Sequence, residues 1–575
     1  MSYEHPISHK FDRWLRSAQR FEETWRHENE HCFEYYDGEQ WSEVEKAAIE
    51  DRGQQPTVIN TIRPTIDMVC AQEVERRCDI QVCGREESDC NMANLLTALL
   101  KHVFDDCNFE YYHSIGFKEA AIGGRSWLEA TVKTDERGKD IVRVQHVPWE
   151  NVYLDPYSRK PDASDAKFII KIKWIDRETL KTLYPSKEQE IDSVFDDDYK
   201  GQEYEAQNQA SDRGDNWYYD PKTQRVKLCE CWYAKPTKET VEILNEITGE
   251  KEHKKIFKNK IYHVIFSDEI ILEGSEDDDK QNVNPLKVDI FPLVPIYCMR
   301  DRYGRPRGIV KDLIDIQDQI NKLNSKFLWT VATNRVIIEE GAVRDPDVLR
   351  EEMQKPDGLA ILNDGGLTKM RIDDKYRDLS YMSNHLNFLL STEQRISGVN
   401  DSMLGLGGTN ERSGVMQNTR ISQGAAMQTT ILENMYFSKQ RMALVLLRLI
   451  GKFYTDYRVV RITQPNGLTD NYEFNLPKKD EDGNVTILNK IEDTLYYDVN
   501  LKKVPPFNSM RERQLTIFAE ILKSNVIPAP IAGKMMVMLS DMPNKEDLIL
   551  ELENFYQAQA QAAGAVQPNN PNPPA

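Results

Sequence analysis

The sequence predicts an α+β fold: a mixed, sheet-bearing body that leads into two long helices flanking a small tip. Three observations carry this reading. Val310, Leu313, Ile314, Ile320, Leu323, Phe327, Leu328 and Val331 recur at mostly three- and four-residue intervals, leaving Lys311, Asp315, Asp318, Lys322 and Ser325 largely on the other side. Leu379, Met382, Leu386, Leu389 and Ile396 repeat that spacing farther on, interrupted only where Glu393 takes an apolar site. Ahead of both, Trp127-Leu-Glu-Ala-Thr-Val132 and Ile141-Val-Arg-Val-Gln-His-Val147 read as strands joined through Asp135-Glu-Arg-Gly138. At about 1.5 Å rise per residue, a helix over 309–333 is a rod of roughly 35 Å, long for an average domain. Such a rod bridges regions or packs against copies of itself.

The chain begins with an amphipathic helix marked by Phe11, Trp14, Leu15, Ala18, Phe21 and Trp25, and residues 31–41 add aromatic anchors and a turn. Pro64 opens a further helix whose apolar side carries Ile66, Val69 and Val74. Ile80-Gln-Val82 suggests a short strand, and Met92 to Val103 returns to helical spacing. The helix through Ile115, Phe117, Ala120 and Ile122 stops at Gly123-Gly124. Residues 148–156 read as a loop leaving the sheet, with Trp149, Glu150 and Asp155 placed to hold two surfaces together. Phe168 to Ile175 is a strand candidate and Asp176 starts a helix. The acidic interval from Glu188 to Asp215 reads as a solvated excursion, and 225–233, 239–243 and 260–266 as further strands.

Arg335-Val-Ile-Ile-Glu339 is a short strand, and Gly341, Pro346, Pro356, Gly358 and Asn363 to Gly366 punctuate the tip. After the second rod, residues 398–414 hold Gly398, Gly405, Gly407, Gly408 and Gly414, the composition of a mobile loop. The loop lacks the lysine motif and preceding strand of a phosphate cradle. A third helical passage runs from Val415 to Phe453, with Gly424 and Gly451 as places where it weakens. Residues 457–462 and 498–501 suggest a returning sheet, followed by short helices over 511–522, 534–539 and 546–556.

The 575 residues suffice for several cores, with 40% hydrophobic and 29% charged residues. No apolar run reaches the length of a membrane span, and the start lacks the basic and apolar regions of a secretory signal, so synthesis inside the cell is expected. A net charge of −20 disfavours a clamp that grips nucleic acid through a broad basic surface. It suits a conduit, because each retained phosphate contact would resist sliding. The nine cysteines are scattered. Neither Cys78, Cys83 and Cys90 nor Cys229-Glu-Cys231 has zinc-site spacing, and His27 with His31 lacks a third ligand. No nucleophile–base pair, two-metal carboxylate set or nucleotide fingerprint stands out, so no catalytic residue, metal or cofactor is expected.

The succession Tyr35-Tyr-Asp-Gly-Glu-Gln-Trp41, Asn60-Thr-Ile-Arg-Pro-Thr-Ile-Asp67, Trp149-Glu-Asn-Val-Tyr-Leu-Asp-Pro156, Tyr303-Gly-Arg-Pro-Arg-Gly308, Asp315-Ile-Gln-Asp-Gln-Ile-Asn-Lys-Leu-Asn324 and Gly398-Val-Asn-Asp401 resembles the portal proteins of short-tailed double-stranded DNA bacterial viruses. Together with the rod–tip–rod–loop order, the resemblance spans approximately residues 10–555. It implies a portal-type fold: N-terminal helices and a mixed α/β wing over 1–308, stem helices over 309–333 and 379–398, and a small α/β clip over 334–378. It further implies a tunnel loop over 399–413, a long wing helix with returning sheet over 414–505 and a helical crown over 506–560; composition makes 561–575 a disordered tail.

The implied function is that of a head-to-tail connector: a dodecameric ring at the unique vertex of the virion capsid, made in the bacterial host cytoplasm. Double-stranded DNA passes through its channel during genome packaging and ejection. The terminase large subunit powers packaging, a tail adaptor docks later, and the major capsid and scaffolding proteins are further partners. No membrane insertion is implied.

By this resemblance Asn400, Asp401, Ser402, Met403, Asn410, Glu411 and Arg412 belong to the channel-facing loop, where Arg412 would position a phosphate and Asp401 and Glu411 would limit adhesion. Burial of Met403, Leu404 and Leu406 against neighbouring subunits, and pairing of Arg412 with an acidic residue, fit the same sequence. Arg335, Glu339, Glu340, Arg344 and Asp345 are handles for partner docking at the tip, or equally surface charges and intersubunit pairs. Two other classes stay open: a structural oligomeric scaffold that handles no DNA, and a DNA-modifying enzyme, which would need a compact acidic or metal-bearing pocket.

Overall fold

The computed structural model describes residues 9–84, 90–194, 218–220, 223–244, 251–268, 270–332, 336–355, 357–372, 376–401, 403–404, 423–424, 426–463, 469–479, 485–489, 491, 497–503, 552 and 555. These divide into two units, one of residues 1–71 and 103–454, the other of 72–102 and 455–575. The fold is mixed α and β. The expected helices over 506–560 and the tail over 561–575 lie outside the described residues except at 552 and 555.

In the larger unit the first helix runs Lys10–Asp37 and ends on Gly38, whose φ of 99° closes the turn that the aromatic stretch suggested. Its Phe11, Leu15 and Ala18 pack on a six-stranded antiparallel sheet together with Phe168, Ile170, Val264 and Phe266. That sheet runs Val152–Leu154, Phe168–Asp176, Arg225–Leu244, Lys251–Ser267, Ile270–Glu273, with Tyr219–Asp220 pairing on the third strand. Three strand expectations merge here into one long hairpin, because Arg225–Leu244 and Lys251–Ser267 pair without interruption from Cys229–Phe266 to Leu244–Lys251. Residues 148–156 are not simply a loop, since Val152–Leu154 supplies the edge strand. The acidic interval begins as a helix, Glu188–Val194, whose own Ile191 is fully buried in the core of the six-stranded sheet. One apolar anchor is enough to dock a short polar helix.

A second sheet has the order Leu293–Tyr297, Arg125–Thr134, Asp140–Val147, all antiparallel, and matches the expected hairpin. Helices Phe109–Gly123 and Thr429–Phe453 pack on it and on each other, with Lys439 Nζ 2.5 Å from Glu110 Oε1. Gly451 does not interrupt the later helix, which continues to Phe453; packing of Val445, Leu446, Leu449 and Ile450 outweighs one residue's entropy. Gly308 is fixed by close approach: a Cβ there would lie 2.0 Å from the Ile122 carbonyl oxygen.

The first rod is a single turn of 3₁₀ helix at Val310–Asp312 followed by an α-helix over Ile314–Ala332. Its buried face is largely polar. Gln317, Ile320, Asn321 and Ser325 are buried, whereas Leu328 and Val331 are exposed, so the placement of Ser325 on the outer side is corrected. The cause is an extended segment, residues 54–61, which belongs to no helix or sheet and whose backbone therefore draws partners from side chains. Gln317 Nε2 donates to the Ile59 carbonyl and its Oε1 accepts from Thr61 N and Oγ1. Asn321 Oδ1 accepts from Ile59 N, and Ser325 Oγ accepts from Thr57 N. The return helix, Tyr376–Ser397, packs beside the first rod. Its Glu393 is buried and accepts a hydrogen bond from Thr65 Oγ1 at 3.0 Å, on the helix Ile62–Glu75.

Between the rods, Val336–Ile338 pairs antiparallel with Met370–Ile372 and encloses a helix, Pro346–Gln354. In the smaller unit, Cys78–Cys83 pairs with Asp498–Lys503, Arg458–Thr463 with Thr469–Phe474, and Leu476–Lys479 with Val485–Leu488. Residues 457–462 and 498–501 therefore enter different sheets, not one returning sheet. Val74 is exposed, departing from its expected place on an apolar side.

Candidate functional site

The base of the glycine-rich loop is built by the end of the return helix. Gly398 takes φ 72° and donates its N–H to the Gln394 carbonyl at 3.0 Å, ending the helix in the left-handed region where glycine is least strained. A tight turn follows. Met403 N donates to both the carbonyl and Oδ1 of Asn400, at 2.9 and 3.1 Å, and Leu404 N reaches the same carbonyl. Asp401 is exposed, and its Oδ1 accepts from Gln394 Nε2 at 2.6 Å.

The returning chain touches this turn. A Cβ on Gly424 would come 2.7 Å from both the Gly398 carbonyl oxygen and the Met403 sulfur, and Gln428 Nε2 donates to the Ser397 carbonyl at 3.4 Å. The two ends of the loop are thus clasped at 397–404 and 424–428. Asn400 and Met403 are half-buried in that clasp, Asp401 faces outward, and Ser402, Leu406, Asn410, Glu411 and Arg412 lie outside the described residues.

At the tip, Glu339, Glu340, Arg344 and Asp345 are exposed, and Arg335 lies outside the described residues. Asp345 also shapes the fold, since it caps the helix Pro346–Gln354 by accepting from Asp347 N at 2.9 Å. The charge pattern missed the apolar content of this surface. Ile337, Val348, Leu359, Ile361 and Leu367 are all exposed, the last by 81%. The run Leu359-Ala-Ile-Leu362 between turn residues was the available signal, but it looks like a buried strand until the chain is folded. The rods carry a similar surface: Leu328, Trp329 and Val331 on the first, and Tyr381, Phe388 and Ile396 on the second, are exposed. His385 stacks between Tyr381 and Phe388, at 6.2 and 6.0 Å between ring centres. Large apolar side chains left exposed in such number are what contact surfaces look like in a lone subunit.

Two polar clusters elsewhere invite comparison with catalytic sites. Ser126 Oγ lies 2.9 Å from His146 Nε2, and Glu119 Oε2 lies 3.0 Å from that same nitrogen. A proton relay needs the serine and the carboxylate on opposite imidazole nitrogens, and Ser126 is fully buried, so this cluster packs the sheet. In the second, Lys171 joins Glu129 and Glu230, and His263 Nε2 sits 3.2 Å from Glu230 Oε1. Burial raises the affinity of Glu230 for a proton, but the His263 hydrogen bond and the Lys171 charge overrule it and hold the carboxyl down at about 2. For Glu393 the balance reverses: burial pushes its carboxyl up, and the threonine hydroxyls offset this only in part. Among the described residues no group of three or more His, Cys, Asp or Glu could hold a metal ion.

Residues 12–575 match the family described as Phage P22-like portal protein. The chain belongs to the P22-like phage portal proteins. It is also 22% identical over 543 residues to the portal protein of Helicobacter pylori bacteriophage KHP30, a span covering 93% of this chain and 80% of that protein. Membership makes it a phage portal subunit, a component of the viral head, in a family that is structural and not enzymatic. Among its described residues, no helix is long and apolar enough to cross a membrane.

Proposed function

We propose that this portal subunit assembles into a dodecameric ring at the unique capsid vertex, with a central channel through which double-stranded DNA is packaged and later ejected. The supporting observation is the rod–tip–rod arrangement ending in a clasped glycine-rich loop, with apolar side chains left exposed on both rods. In a closed ring these faces meet neighbouring copies, each subunit giving one face and receiving another.

In this reading residues 309–333 and 379–398 are the stem, 334–378 the clip, 399–413 the tunnel loop, and 506–560 the crown, with the wing formed by 1–308 and 414–505. The clip docks the terminase large subunit and then the tail adaptor through Arg335, Glu339, Glu340 and Arg344, alongside the exposed apolar residues of the tip. Major capsid and scaffolding proteins contact the ring from the head side. The loop acts sterically and through Asn400, Asp401, Ser402, Asn410, Glu411 and Arg412 on the phosphate backbone, without reading bases. An acidic chain suits passage, since weak adhesion lets DNA slide.

A reconstruction of the purified oligomer, made for the full chain and for a variant lacking residues 402–409, tests the proposal. Twelvefold rings with an open axis are expected from both, with DNA packaging or retention impaired only in the variant. A closed axis sinks the channel, and normal packaging, retention and ejection by the variant sinks the role of the loop.

A further inference from the structure

A basic surface adjoins a cavity in the larger unit through Arg300, and neither the loop nor the clip accounts for it. The hairpin Met299–Arg300 with Pro306–Arg307 carries Tyr303 at its turn, flanked by two guanidiniums: Arg302 lies 4.4 Å and Arg305 5.3 Å from its ring centre. Arg159 is laid against this turn, its Nη1 donating to the Tyr303 carbonyl at 2.9 Å, and Arg300 Nη1 donates to the Arg159 carbonyl at 2.8 Å. Four cations, Arg159, Lys160, Arg300 and Arg302, are thereby gathered on one surface of a chain whose net charge is −20.

Three carboxylates next to these cations in sequence, Asp162, Asp165 and Asp301, are already engaged. Asp162 Oδ2 lies 3.6 Å from Arg441 Nε. Asp165 accepts from Ser158 Oγ and from the backbone N–H groups of Arg159 and Lys160. Asp301 accepts from Tyr303 N and Arg305 N and stands 3.9 Å from Arg305 Nε. Among the described residues none of Arg159, Lys160, Arg300 and Arg302 forms an ion pair with a carboxylate. Beside them opens a cavity of about 410 Å³ whose lining includes Pro161, Pro295, Tyr297, Arg300, Asn434 and Phe437. Phe437 is 40% exposed at its edge.

We infer that this surface docks an acidic segment of a partner protein, anchored by an aromatic side chain that enters the cavity. Cations with no carboxylate partner among the described residues favour carboxylates, and the proline, tyrosine and phenylalanine of the cavity lining give a planar apolar group a seat. Arg300 serves both parts, since it lines the cavity while belonging to the rim. A DNA backbone would meet the cations but leave the apolar floor empty, so a peptide uses more of the site than phosphate does. This inference goes beyond the channel and clip reading and stands on different residues.

The test uses the assembled full chain and a fluorescein-labelled peptide, Asp-Glu-Asp-Trp-Asp-Glu-Asp, followed by anisotropy at physiological salt. Saturable binding is expected. It should weaken roughly tenfold in a Lys160→Gln/Arg302→Gln variant, the scale of two rim charges, and by a similar factor in Phe437→Ala or when the peptide's Trp is replaced by Ala. The charge variant removes no ion pair among the described residues, and unchanged rings in electron micrographs confirm its integrity. Absence of saturable binding overturns the inference. So does indifference to both the anchor and the charges, or displacement of the peptide by an unlabelled 20-base-pair duplex at equal concentration.

Discussion

Replacing Gln317 by Leu removes one end of the polar ladder that ties the first rod to residues 57–61. The volume of the side chain is nearly conserved, so the change is one of hydrogen bonding. In the native chain Gln317 Nε2 satisfies the Ile59 carbonyl at 2.6 Å, and Oε1 satisfies Thr61 N at 3.2 Å. Each backbone group left without a partner away from water costs about 1–3 kcal/mol, which for two groups is about 2–6 kcal/mol. Asn321 still holds Ile59 N, and Ser325 still holds Thr57 N, so the loss is local. Amide hydrogen exchange over residues 57–61 reads it directly: at the lower bound, exchange accelerates by roughly thirtyfold while the sheet core is unaffected. An acceleration below about threefold would refute the reasoning, because it would mean that water already satisfies these groups.

Three further outcomes follow from particular side chains. Glu230 titrates from an ordinary value near 4.5 down to about 2 in the folded chain, so it contributes stability above 4.5 that is lost as pH falls toward 2. The stability difference between the native chain and Glu230→Gln should be constant above that window and vanish below it; a difference that persists at the acid end counts against the Lys171 and His263 pairing. Glu393 has the opposite sign: its folded carboxyl holds its proton more tightly than the unfolded one, so stability falls as pH rises from the ordinary value through the raised one. Glu393→Gln should raise the thermal midpoint at pH 7 and leave it unchanged in acid, and a lowered midpoint at pH 7 would contradict this. Gly398→Ala should cost about 1–2 kcal/mol, the price of the left-handed conformation for an L side chain, and loosen the loop clasp as read by proteolysis between 398 and 428; unaltered cleavage would show that the clasp is held from elsewhere.

The elements are legible wherever one periodicity governs them. The hairpin at 125–147 stands out because alternation and a turn signal coincide, and the return helix because its spacing stays close to a helical period. Sequence and structure part where a partner distant in the chain supplies the missing half of the interaction. Ser325 looks like a surface residue because nothing adjacent to it in sequence reveals that Thr57 needs an acceptor. The tip is conspicuous for its charges, yet Asp345 is a helix cap and the apolar residues around it are exposed.

By itself the sequence determined the family, the rod–tip–rod order and the glycine-rich loop between the second and third helices, because those features are local patterns strung in a fixed order. Tertiary structure alone decided that the first rod buries glutamine, asparagine and serine against an extended strap. It also decided that Gly398 and Gly424 close the base of the loop, and that the strand at 78–83 pairs with one at 498–503. The physical reason is the same in each case. A backbone polar group must find a partner somewhere, and a close approach must find a residue without a side chain, but neither need is written at the position that meets it.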